Sequence, residues 1–132
     1  MTLLTGSLIR RHLRNLPSFH PLNGSERFER YERQPNEELI GWYQPSGDEN
    51  CLVFTSDAIV VIHRDSVGRI PLNAIVEYEL PKTKTAVQAV EVRLADQTRR
   101  SIPISGVHGA GGRYSDAWSL VQILHMLVRL SK

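Results

Sequence analysis

The sequence predicts a mainly β domain of the α+β kind: an antiparallel barrel or sandwich of seven strands, capped by one C-terminal helix and preceded by a helical N-terminal extension. Two observations carry this. Between Asn50 and Ile104 apolar residues alternate with polar ones at the period of a half-buried strand. The clearest cases are Val76, Tyr78 and Leu80 against Glu77 and Glu79, and Val90, Val92 and Leu94 against Glu91 and Arg93. From Ala117 to Leu130 the period becomes helical, with Ala117, Leu120, Val121, Leu124, Leu127 and Val128 on one stripe. Short turns join the strands locally, which favours antiparallel pairing.

Taken in order, Leu39 to Tyr43 is the first strand and Pro45-Ser46-Gly47-Asp48 the turn after it. Cys51 to Thr55 and Ala58 to Arg64 form a hairpin across Ser56-Asp57. Asp65 to Gly68 turns into a short strand at Arg69-Ile70, which Pro71 confines to an edge or a bulge because it has no N–H to donate. The two alternating stretches follow, separated by a basic turn from Pro81 to Thr85, and Arg99 to Ile104 is the last strand. After a glycine-rich loop, Ser115 or Asp116 caps the terminal helix, whose ~1.5 Å rise per residue lets it cover one open end of a small barrel.

Ahead of the domain at 38–132, residues 1–37 read as a helical arm and linker. Thr2 to Leu16 sets Leu4, Leu8, Ile9, Leu13 and Leu16 on one side of a helix and Arg10, Arg11 and Arg14 on the other. Pro17 ends it, and Pro21, Asn23 and Gly24 mark a loop. A second short helix is expected from Ser25 to Gln34, with Glu26 and Glu29 in its first turn and Phe28 and Tyr31 as its apolar stripe. Its alternating Glu and Arg residues read as a solvated, self-paired face.

Of the 132 residues 41% are hydrophobic and 23% charged, the composition of an ordinary globular chain. Cys51 is the sole cysteine and cannot form an internal disulfide. No signal-peptide pattern opens the chain and no apolar run is long enough to span a bilayer, so a cytoplasmic location is expected. The net charge of +2 gives no reason to expect nucleic acid, but it is sorted into blocks of +3 over residues 1–24, −4 over 25–50 and +3 beyond.

Seven antiparallel strands followed by one amphipathic helix with a tryptophan near its start, here Trp118, resemble a pleckstrin-homology-like domain, in particular the small prokaryotic versions. The resemblance covers Glu38 to Leu130. Relatives of that fold bind phosphoinositides, bind peptides or oligomerise, so the fold does not select among these roles. Lipid-binding members place basic residues in the loop between the first two strands. Here that loop is Pro45-Ser46-Gly47-Asp48-Glu49, whose acids repel a phosphorylated headgroup. Arg64, Arg69, Arg99 and Arg100 read as scattered over the sheet.

No constellation of residues nominates a reaction. Gly106 to Gly112 lies where a phosphate loop would lie but lacks the spacing of one, and reads as a connector. His12, His20, His63, His108 and His125 show no metal-ligand spacing with each other or with Cys51. No cofactor, metal or catalysis is expected. Excess apolar surface is the stronger signal, since Ile123, Leu130 and Met126 widen the apolar arc of the terminal helix beyond its core stripe. The expectation is a non-enzymatic interaction or self-assembly module using Leu4, Leu8, Leu16, Trp118, Ile123, Met126 and Leu130. The alternative is a peripheral membrane module that meets anionic lipid through Arg10, Arg11, Arg14, Lys82 and Lys84.

Overall fold

The computed structural model of the chain describes residues 2–14, 16–23, 27–45, 47–82, 87–104 and 116–130, with side chains from Gly6 to Arg129 among them. Helix α1 (Thr2–Leu13) is followed by strand β1 (Phe19–Pro21). Strands β2 (Leu39–Tyr43), β3 (Asn50–Thr55), β4 (Ala58–His63) and β5 (Ser66–Pro71) make a meander that joins β1 in a five-stranded antiparallel sheet of order β1-β2-β3-β4-β5. A 3₁₀ turn, Leu72–Ala74, carries the chain into a three-stranded antiparallel sheet of β6 (Ile75–Tyr78), β7 (Ala89–Leu94) and β8 (Arg99–Pro103), and α2 (Ala117–Leu130) closes the fold.

Three expectations are corrected. The described residues form eight strands rather than seven, because the stretch read as a loop after Pro17 contains β1. Burial of Phe19 and pairing of His20 with Trp42 draw it onto β2, and Pro21 is tolerated because the strand is an edge. Gly41 permits the approach: a Cβ there would press on the Phe19 ring and lie 2.8 Å from the His20 carbonyl oxygen. The sheets do not close into a barrel, since among the described residues no ladder joins one sheet to the other and Pro71 ends β5 without a donor. Third, residues 27–34 contain no helix; Phe28 and Tyr31 form an isolated bridge, with the Tyr31 N–H donating to the Phe28 carbonyl at 3.2 Å. So short a charged segment cannot hold a helix by itself, whereas placing its two rings on the sheet removes apolar surface from water.

The main core lies between the sheets and α2. It takes Leu52, Phe54, Ile59 and Ile70 from the large sheet, Val90, Val92 and Ile102 from the small one, and Leu120 and Leu124 from α2. Ile9 and Leu13 of α1 enter the same core, where α1 packs on α2 and β2. Each large aliphatic side chain contributes about 1.5–3 kcal/mol of gross transfer free energy there.

A second apolar layer covers the opposite face of the large sheet. Leu39, Cys51, Val53, Val60 and Ile62 point away from the main core, and Leu22, Phe28, Trp42 and Tyr31 pack on them. The sheet is thus buried on both faces, which explains the near-continuous apolar runs of β3 and β4. Leu22 and the segment from Arg27 to Glu37 act as a strap across this outer face.

Candidate functional site

The residues expected to form an interaction surface scatter between interior and surface. Leu16 and Ile123 are buried within the chain's own core. Leu8, Trp118 and Met126 are half-buried, with Trp118 packed against the main core. The side chains of Leu4 and Leu130 lie outside the described residues, as do Lys84 and the loop Gly106 to Gly112. Of the basic residues assigned to lipid, Arg10, Arg11, Arg14 and Lys82 are exposed, and Arg10 Nη2 donates to the Leu22 carbonyl at 3.3 Å.

Other residues singled out have local duties. The Cys51 thiol is buried, and desolvation pushes its pKa up against the opposing influence of Arg30. His63 Nδ1 lies 2.9 Å from Asn50 Oδ1, and His125 Nδ1 lies 2.8 Å from the Tyr78 hydroxyl, joining α2 to β6. Asp116 does not cap α2 with its side chain; Oδ2 instead accepts a 2.5 Å bond from the buried Tyr43 hydroxyl, while its carbonyl accepts the Ser119 N–H at 3.0 Å.

Two arrangements escaped the sequence reading. The first is a polar lock under the strap. The carboxylate of Glu37 is wholly buried and accepts from the Tyr31 hydroxyl (2.7 Å), the Thr55 hydroxyl (2.6 Å), the Gln34 N–H (2.9 Å) and Arg69 Nη2 (3.2 Å). Burial opposes its charge, but these bonds prevail and hold its pKa below the ordinary carboxylate value. The Tyr31 pKa is raised, first by burial and then by donation to Glu37.

The second arrangement is the edge of β5. Arg64, Arg69, Arg93 and Arg99 each have a carboxylate within ion-pair distance: Glu49, Glu37, Glu77 and Glu79. Arg100 is half-buried and pairs with no acid among the described residues. Its place in the ladder opposite the buried Val92 turns it toward the inside of the sandwich, and a Cβ on Gly68 of β5 would lie 2.8 Å from its Nη2. Beside Gly68, Val67 is 55% exposed on the edge strand. The available signal was Gly68 itself, since glycine inside a strand marks a close approach.

No family model matches the chain, and no curated protein matches it. Among solved structures the chain is similar to the crystal structure of a DUF1696 family protein with a pleckstrin-homology domain from Shewanella loihica PV-4. The two are 17% identical, with a TM-score of 0.47 over 73% of this chain and 83% of that one. The order of elements, seven strands from β2 to β8 in two antiparallel sheets and then α2, is the order that the resemblance to a pleckstrin-homology-like domain implies. Helix α1, β1 and the strap are additions ahead of it.

Proposed function

We propose that the chain is a non-enzymatic, pleckstrin-homology-like interaction module that presents the β5 edge to a protein partner. The observation that carries the reading is Arg100, half-buried as a residue and paired with no acid among the described residues, with its Nη2 beside Gly68 of β5, an edge strand among the described residues. A half-buried arginine with no acid beside it has donors to offer, and it favours a partner that supplies the complementary charge. The buried Glu37 and Asp116 are engaged by Tyr31, Thr55, Arg69 and Tyr43 in tying segments together, which supports structural duty for them rather than proton transfer.

Panning a random linear-peptide library against the intact chain tests this reading. Enrichment of a sequence family that binds the folded protein is expected. No enrichment, together with a sedimenting mass that does not change with concentration, would overturn it.

A second reading is favoured by one observation, the exposure of Arg10 and Arg11 on α1 and of Arg14 just past its end. They suit an anionic lipid surface electrostatically. Ile9 and Leu13 are committed to the core, so such binding would use charge without insertion. No helix among the described residues is long and apolar enough to cross a membrane. Flotation with anionic liposomes that salt reverses is the expected behaviour under this reading. Flotation that salt does not reverse, or none at all, counts against it.

A further inference from the structure

We infer that the open edge of β5 accepts an extended acidic peptide as a sixth strand of the large sheet, with a peptide carboxylate bound by Arg100. This rests on the interaction-module reading above and names the partner by its chemistry.

The ladder sets which main-chain groups are available. Strands β4 and β5 are joined by Arg64 and Asp65, with His63 opposite Ser66, and Arg64 has the φ of 55° suited to a two-residue hairpin turn. The pair flanking such a turn exchanges both main-chain bonds, and alternation then makes Gly68 and Ile70 face β4 as well. Leu72 keeps the same phase, its N–H donating to the Asp57 carbonyl at 2.8 Å. The N–H and C=O groups of Val67 and Arg69 therefore point away from β4, over an edge that pairs with no strand among the described residues.

Side-chain alternation sets the chemistry of the added strand. Gly68 shares a face with Ile70, which lies in the main core, so a residue added opposite Gly68 turns its side chain inward beside Arg100. A carboxylate there gains charge-assisted bonds from a guanidinium that has no acid among the described residues. Residues on either side turn to the outer face, where exposed Val67 favours an apolar neighbour and Arg69 is already held by Glu37. Further along the edge, a cavity of about 250 Å³ lined by Asp57, Arg69, Pro71 and Asn73 leaves room for the strand to continue. Edge strands are commonly blunted by charge, proline or a bulge; β5 carries its proline at its end and is regularly paired through Val67 and Gly68.

The test uses the full chain and a fluorescein-labelled hexapeptide of alternating valine and glutamate, with the valine–glutamine counterpart as control. Anisotropy measures affinity, and amide hydrogen exchange locates the contact. Expected are preference for the glutamate peptide, slowed exchange at Val67 and Arg69, and at least about tenfold weaker binding of that peptide to Arg100→Gln. Val67→Pro removes an outward donor while sparing the ladder to β4, and should abolish binding of both peptides without changing the circular dichroism. Should Val67→Pro lose its fold, Arg100→Gln decides. Equal affinity of Arg100→Gln for the glutamate peptide, or unchanged exchange at Val67 and Arg69, overturns the proposal. Library peptides that bind Val67→Pro as tightly as the parent would leave the module reading standing and overturn the edge assignment.

Discussion

Glu37 shows what a single buried carboxylate does when every neighbour is a donor. Tyr31, Thr55, Gln34 and Arg69 converge on it from the strap, β3 and β5, so one side chain fixes the end of an irregular segment to the sheet. Its pKa is depressed, so its contribution to stability is present above the unfolded carboxylate value and lost as pH falls through the folded one. Tyr31 behaves in the opposite sense: its raised pKa gives a contribution that is lost as pH rises through the folded value. Glu37→Gln should cost about 2–3 kcal/mol in denaturant unfolding near neutral pH, a moderate value because Arg69 is partly hydrated, and should flatten the acid side of the stability profile. An unchanged acid limb in urea titrations would mean that Glu37 is not the group titrating there. None of this convergence was legible in the sequence. Glu37 and Glu38 look alike as residues at the start of a strand, and only the packing of the strap buries one and exposes the other.

Among the elements, legibility followed periodicity. β7 and α2 have clean two-residue and helical patterns, and they lie close to where the pattern put them. β6 does not follow its alternation: a register shift between Ile75 and Glu77 buries Ile75 and leaves Val76 37% exposed, and Leu80, past the strand's end, is 64% exposed. β1 and the strap have no clean pattern, because their form comes from long-range contact: Phe19 against β2, and Phe28 and Tyr31 against the outer face. A helix-like spacing of two rings sufficed to suggest a helix that the sheet then overrode. The arm α1 was legible as amphipathic but not in its destination. It packs on α2 and β2 with Ile9 and Leu13 inside the main core, so it belongs to the fold energetically. Leu13→Ala should therefore destabilise the whole chain by about 2–5 kcal/mol, read as a shift in one cooperative transition. A loss of helicity that leaves the sheet's unfolding midpoint in place would mean instead that α1 is an independent appendage.

At the scale of the whole molecule, two sheets that do not join leave edges, and the chain treats those edges differently. α1, α2 and the strap cover the main core and the outer face, whereas at the seam β5 brings a glycine and an exposed valine, and β8 an arginine that pairs with no acid among the described residues. The bases on the sheet were visible in the sequence and read as scattered; the fold pairs Arg64, Arg69 and Arg99 with acids and leaves Arg100 at the seam. The interaction reading depends above all on that edge being available in the free protein. Residue-resolved amide hydrogen exchange of the chain alone measures this directly. Fast exchange at Val67 and Arg69 with protection at Gly68 and Ile70 is the expected result, the alternation of a ladder satisfied on one side only. Protection of Val67 and Arg69 equal to that of their neighbours would contradict it, since the edge would already be filled.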